Sequence, residues 1–159
     1  MDTPEKSVSE VPLSIREKEF QLDLPAEWKV KESRSPLQWV FASDPKRTEV
    51  FVSVHYAQIP KDRVLEMANA FLSTQREIEI QLRSEWHVHF GDSWVEEREN
   101  GELAHIAYAS HDDLMHVRFM GWVTQAKFLG LRVQTSTRNN EVSKHIFEEV
   151  FGGFRFYIP

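Results

Sequence analysis

The sequence has no cysteine, few glycines and no long apolar run, and each absence excludes a class of protein. Without Cys in 159 residues, disulfides, thiolate metal sites, iron–sulfur clusters and cysteine nucleophiles are excluded. The six glycines match neither Gly-x-Gly-x-x-Gly nor the phosphate-loop pattern, so no nucleotide-binding motif is present. Charged and amide side chains interrupt every aliphatic stretch well before the roughly 18 residues of a membrane span. Membrane insertion is therefore not expected.

The charge balance argues against nucleic acid as a partner. Lys and Arg total 19 against 25 Asp and Glu, which gives a net charge of -6. A protein that binds the phosphate backbone generally carries charge of the opposite sign. The first ten residues contain no apolar stretch after a basic start, so we expect no secretory signal peptide and a cytoplasmic location.

The composition predicts one folded domain with a short arm. Hydrophobic residues make up 41% and aromatic residues 12% of the chain, which is enough for a core, and the length fits a single domain. Residues 1–17 contain two prolines, scattered charges and no periodicity, which predicts a flexible N-terminal arm. Residues 18–159 are expected to form the domain.

Alternating apolar and polar residues predict strands over much of the chain. Phe20, Leu22 and Leu24 share one face of the first strand, which Pro25 ends. Turn residues such as Gly91-Asp92 and Asn100-Gly101 separate the later strands, and such short links force antiparallel neighbours. The further predicted strands cover residues 29–33, 37–43, 48–56, 85–90, 93–99, 103–110, 114–124 and 127–137.

Two segments have helical periodicity instead. After Pro60, apolar residues recur at spacings of three and four and predict a helix to about Ile80, with a strand from about Ile78 as the alternative. Asn139 or Asn140 can cap a second helix that ends at Gly152-Gly153. A short edge strand with Phe154, Phe156 and Ile158 follows. The fold class is therefore α+β, with a single antiparallel sheet of about six to eight strands flanked by helices. The apolar stripe of the first helix comprises Val64, Ala68, Phe71, Gln75, Ile78 and Leu82.

Two short segments resemble the Mog/PsbP-like α/β family. They are Phe20–Trp28 (FQLDLPAEW) and Phe147–Phe156 (FEEVFGGFRF), placed at either end of a matching order of elements. The resemblance implies an antiparallel sheet flanked by helices in a protein that acts by binding others. Relatives in that family include photosystem II extrinsic subunits, a Ran-binding import factor, DcrB-like proteins and the bacterial Eag-type chaperones of type VI secretion effectors. It implies neither catalysis nor a cofactor.

The strand over residues 114–124 is the predicted partner-binding element. Leu114, His116, Arg118, Met120 and Trp122 share one of its faces, and neither face of this strand is uniformly polar. One interpretation is a sheet covered on both sides by helices and the N-terminal segment. The other is a partly exposed apolar groove that accepts a helix of a partner protein. On the second interpretation the protein is a chaperone or adaptor, and a homodimer is compatible with it.

Seven histidines support an alternative function in metal binding. His87 and His89 share one strand face, and His105 or His116 could join them as imidazole ligands for zinc. No motif such as His-Glu-x-x-His fixes that geometry, so we expect no metal site and no structural zinc at His87 and His89. Catalytic residues are not expected either, because no serine lies in Gly-x-Ser-x-Gly and the adjacent Glu pairs do not converge.

Overall fold

The computed structural model describes residues 11–33, 35–83, 87–137 and 139–157. Within these residues the chain forms ten strands and two α-helices, with short 3-10 turns at Lys61–Arg63 and Glu99–Gly101. The helices are α1 (Val64–Leu82) and α2 (Asn140–Gly152). The strands are β1 (Leu13–Arg16), β2 (Phe20–Leu24), β3 (Lys29–Lys31), β4 (Gln38–Ser43), β5 (Thr48–Tyr56), β6 (His89–Arg98), β7 (Leu103–His111), β8 (His116–Thr124), β9 (Lys127–Thr135) and β10 (Phe154–Phe156).

The strands form two antiparallel sheets, which corrects the prediction of a single sheet. The large sheet has seven strands in the order β3-β4-β5-β9-β8-β7-β6, and the small sheet has the order β1-β2-β10. Strand β10 pairs with β2 in the small sheet, and the buried side chains of β2 belong to the core between the two sheets. The α+β class and the antiparallel meander from β6 to β9 are confirmed.

The predicted N-terminal arm extends too far. Residues 13–16 form β1 and pair with β2 from Leu13↔Leu24 to Arg16↔Gln21, so this part belongs to the folded unit. Residues 1–10 of the predicted arm lie outside the described residues, as does Ile158 at the other end.

The two strands predicted around Gly91-Asp92 are one strand. Strand β6 runs from His89 to Arg98, and its pairing with β7 shifts between Phe90 and Ser93. The Gly-Asp pair therefore lies in a bulge rather than a turn. Residues 85 and 86 of the first of these predicted strands lie outside the described residues. Asn100-Gly101 forms a hairpin link as predicted, with positive φ at both residues.

Each face of the large sheet is covered over one half only, and the covered half differs between the two faces. Helix α1 packs on β6, β7 and β8, where Ile106, Tyr108 and Phe119 form a core with Val64 and Ala68 of the helix. Helix α2 and the small sheet cover the opposite face over β4, β5 and β9. The core on that face contains Phe20, Leu22, Phe41, Val50, Val52, Leu129, Leu131, Ile146, Phe147 and Val150.

The helices occur where the periodicity predicts them, but the second half of α1 buries a different face from the predicted one. Ile78 and Leu82 are exposed, at 39% and 71%, whereas Glu79 and Arg83 are buried. The predicted apolar stripe is therefore wrong at its C-terminal end. The cause is a buried polar network, described below, that draws Glu79 towards the sheet. Asn139 caps α2 by accepting from the backbone N–H groups of Glu141 and Val142.

Candidate functional site

Among the described residues, no helix covers one half of one face of the large sheet, and this half carries a group of aromatic side chains. Trp94 of β6 pairs with Ala107 of β7, which in turn pairs with Met120 of β8. His105 of β7 pairs with Trp122 of β8. We call these five residues the aromatic face. They lie on the surface of the sheet opposite α1 and beside the end of α2. A groove of about 310 Å³ runs along this surface, with Phe151 on one side and Asp92 and Arg118 at its margin.

Stacked rings hold the aromatic face in a fixed arrangement. The His105 ring stacks on Trp122 with centroids 4.2 Å apart and planes at 14°. Trp94 meets His105 edge-on at 4.8 Å and keeps 41% of its surface exposed. The guanidinium of Arg98 lies 5.2 Å from the centre of the Trp122 ring, so a cation covers part of the aromatic surface. The result is a rigid apolar centre with charged neighbours.

The ring of His105 is held neutral by its surroundings. Both ring nitrogens are buried and have no hydrogen-bond partner among the described residues. Burial lowers the pKa of His105 to about 4, and the positive charge of Arg98 adds to that effect. His105 therefore acts here as an aromatic packing residue rather than as a base.

We expect an NMR titration of the His105 ring to give a pKa of about 4, well below the ordinary histidine pKa of 6.5. Because the unfolded state takes up the proton first, this residue should lower the free energy of unfolding as pH falls from 6.5 to about 4. The measurement is the ring proton shift against pH, assigned with a His105→Gln variant. A midpoint near the ordinary histidine value would contradict the packing that we describe.

The five predicted partner-binding residues are divided between three places. Met120 and Trp122 belong to the aromatic face, and Arg118 lies at its margin with its guanidinium 5.2 Å from the Phe147 ring centre. His116 lines a different cleft, with the first turns of α2. Leu114 precedes β8, in the turn between β7 and β8, and is 41% exposed.

The predicted metal alternative is not assembled. His105 lies opposite Glu96, whereas His89 lies opposite His111 near the other end of the same strand pair. His87 precedes β6. Among the described residues, no group of three or more His, Asp or Glu side chains is arranged to hold one metal ion.

A buried polar network under α1 was missed from the sequence. The Glu79 carboxylate accepts hydrogen bonds from Tyr108 at 2.6 Å, from Arg132 at 2.6 and 2.9 Å, and from Arg83 at 3.1 Å. Arg83 also donates to Asp112 at 2.6 Å and to Ser110 at 2.8 Å. Two carboxylates balance two guanidinium groups, so the network is electrically neutral and serves to dock α1 on the sheet.

Comparison with solved structures identifies the fold. The solution structure of cyanobacterial PsbP (CyanoP) from Synechocystis sp. PCC 6803 matches 93% of this chain and 94% of its own, with a TM-score of 0.61 and 14% sequence identity. The fold is PsbP-like. A Bacteroides thetaiotaomicron VPI-5482 structure matches 87% of this chain and 45% of its own, at a TM-score of 0.41 and 9% identity, which is too distant to support a conclusion. No protein-family model and no curated protein matches the sequence.

The PsbP-like fold confirms the coarser part of the expected resemblance. The narrower resemblance to DcrB-like proteins and Eag-type chaperones stays a prediction, because identity at this level concerns the fold alone. Within the described residues, neither helix combines the length and apolarity needed to cross a membrane.

Proposed function

We propose that this protein is a non-enzymatic binding module that holds an apolar helix of a partner protein against the aromatic face. The observation that carries the proposal is the uncovered half of the sheet, where Trp94 is 41% exposed although its neighbours form stacked aromatic pairs. Isolated exposed apolar residues are normal, but a contiguous aromatic surface in a groove is typical of a binding site.

The chemistry of the groove fits the centre and rim of a protein interface. Its centre consists of Trp94, His105 and Met120, and Trp122 stacks on His105 beside it. Tryptophan is among the residues that contribute most to binding. Asp92, Arg98 and Arg118 supply a charged margin of both signs. A helix with apolar residues at spacings of three and four could lie on such a surface and pair its own charges with the rim.

The biological role that we propose is that of a cytoplasmic chaperone or adaptor. Such a protein covers an apolar segment of its partner by stoichiometric association until the partner is delivered or assembled. An effector of a bacterial secretion system is a partner of this kind, in line with the Eag-type resemblance in the sequence.

The decisive residue for testing this function is Trp94, because it is exposed and its replacement leaves the core intact. A photo-crosslinking amino acid in place of Trp94 should capture a partner protein, and the same amino acid in place of Leu65 should not. Leu65 is the control because it is about equally exposed, at 40%, but lies on the opposite side of the sheet. The apolar helix of that partner should then bind the purified protein, and Trp94→Ala should weaken binding by about 2 kcal/mol or more. Leu65→Ala is the matched control and should leave the affinity unchanged.

Three results would overturn the proposal. Crosslinks of equal yield at positions 94 and 65 would show that the capture is unspecific. Unchanged affinity of a folded Trp94→Ala variant would place the binding site elsewhere. A dimer that Trp94→Ala converts to a monomer, measured by light scattering, would show that a second copy of this chain covers the aromatic face.

Trp122 allows a second check of the same surface. Because it is partly buried and packs on the core that α2 covers, Trp122→Ala should cost stability as well as binding. Met120→Glu should weaken binding through a charge in the apolar centre. Thermal melts of both variants separate the loss of stability from the loss of binding. A variant that folds cooperatively and binds normally would contradict the assignment of its residue to the interface.

A further inference from the structure

Three histidines form a row across one end of the large sheet. His89 on β6 lies directly opposite His111 on β7, and His111 lies directly opposite His116 on β8. The ring centroids are 5.2 Å apart in the first pair and 5.8 Å apart in the second. The row lies further along the strands than the aromatic face, and neither His111 nor His116 lines the groove of the proposed helix site.

We propose that His111 and His116 form a two-ligand site for a divalent transition-metal ion such as Zn²⁺ or Ni²⁺. Imidazole nitrogens bind such ions at about 2.0–2.1 Å, and these ions suit imidazole better than the hard cations do. Two ligands leave the other coordination positions to water. The site is therefore an open chelate, in accord with the lack of any three-residue metal group among the described residues.

The backbone places the two imidazoles at chelating distance. Asp112 donates its N–H to the carbonyl oxygen of Met115 at 3.0 Å, so these two residues form the last hydrogen-bonded pair before the turn. Hydrogen-bonded and non-bonded pairs alternate along antiparallel strands, which makes His111 and His116 a non-bonded pair with Cα atoms about 4.5 Å apart. The broad χ2 torsion of histidine then allows both rings to turn towards one ion.

A buried ion pair fixes the turn that joins the two histidines. One oxygen of the Asp112 carboxylate accepts from the backbone N–H groups of Leu114 at 2.6 Å and Met115 at 2.9 Å. Its other oxygen accepts from buried Arg83 at 2.6 Å. The chelate is thus preorganised, which reduces the entropy cost of bringing its ligands together. His89 has no comparable support, because it lies beside the bulge in β6.

The surroundings leave room for a hydrated ion. His111 is exposed and His116 is half-buried, and both line a cleft of about 250 Å³ beside the first turns of α2. Glu141 and Lys144 of α2 and Arg118 of β8 are the charged residues of that cleft. The Arg118 guanidinium lies over the Phe147 ring, 5.2 Å from its centre.

The test is calorimetric titration of the untagged protein with Ni²⁺ and with Zn²⁺ in a non-coordinating buffer. We expect one ion per chain, and a rise in the thermal midpoint that a chelator reverses. His111→Asn and His116→Asn should each lower the affinity by at least about tenfold, because a single imidazole remains. His89→Asn and His55→Asn are the matched controls and should bind as the parent protein does.

Several outcomes would overturn this assignment. Loss of binding in His89→Asn with unchanged binding in His116→Asn would place the ion at the other pair of the row. Unchanged binding in His111→Asn would exclude the row altogether. Paramagnetic broadening of NMR signals by Ni²⁺ locates the ion in the parent protein independently of any substitution. Broadening that spares the side chains of residues 111 and 116 would also contradict the proposal.

Discussion

Replacing Glu79 by alanine is expected to lower the free energy of unfolding by about 3–5 kcal/mol. The carboxylate is 1% exposed and accepts from Arg132, Arg83 and Tyr108, so its removal leaves buried donors without an acceptor. Arg132 and Arg83 would then hold two charges near the sheet with only Asp112 to balance them. The measurement is chemical denaturation of the parent and the variant, monitored by tryptophan fluorescence.

The matched control is Glu66→Ala on the same helix. Glu66 pairs with Arg63 at 2.6 Å, but both side chains are more than half exposed, and such pairs contribute at most about 1 kcal/mol. A loss in Glu79→Ala no larger than that in Glu66→Ala would mean that the network does not dock α1.

The same network makes stability depend on acid. Burial raises the pKa of Glu79, but hydrogen bonds and charge from Arg132, with further bonds from Tyr108 and Arg83, outweigh it and hold the pKa below the ordinary 4.5. A carboxyl group with a lowered folded-state pKa stabilises the fold above its unfolded pKa and loses that contribution as pH falls through the folded value. We therefore expect part of the decline in stability below about pH 4.5 to be absent in Glu79→Ala.

Gly153→Ala is expected to lower the free energy of unfolding by about 3 kcal/mol, at the upper end for an overpacked site. A Cβ at this position would overlap the carbonyl oxygen of Asp23, a backbone atom that cannot rotate aside. Gly153 also accepts a hydrogen bond from the Asp23 N–H at 2.8 Å, so the two backbones are held in contact. The substitution should separate β2 from the end of α2, and thermal melts would measure the loss.

The neighbouring glycine is an unusually close control. A Cβ at Gly152 would meet no atom within 4 Å, so Gly152→Ala should be neutral or slightly stabilising at the end of a helix. Equal melting temperatures for the two variants would show that β2 and α2 are not packed as described.

The sequence predicted the positions of the helices and strands better than it predicted which of their faces are buried. The meander was predictable because each turn carries its own chemistry, as at Asn100-Gly101. The buried face in the second half of α1 was not predictable, because Glu79 and Arg83 are buried only through partners on distant strands. Likewise the four residues of β1 alternate between apolar and polar, but so short a run does not predict a strand by itself, and β1 is a strand because β2 offers it an edge.

The candidate site was only half predictable for a related reason. Alternation along β8 indicates that Met120 and Trp122 share a face, but the neighbours of that face are set by strand register. Trp94 and His105 are contributed by β6 and β7, and nothing local in the sequence places them beside Trp122. The bulge in β6 shifts its pairing with β7 by one residue, so His89 lies opposite His111 rather than opposite Asp112.

The pairing of β2 with β10 has a consequence for how the chain folds during synthesis. Tyr157 beside β10 donates to Gln21 of β2, a residue 136 positions earlier in the chain. Contacts this distant in sequence form late, because a long loop must close before they contribute. While the ribosome is still making the chain, β4, β5 and β9 can pair, but their apolar surface stays open until residues 154–156 emerge. The nascent protein is therefore most prone to aggregation in that interval, just before its last strand is complete.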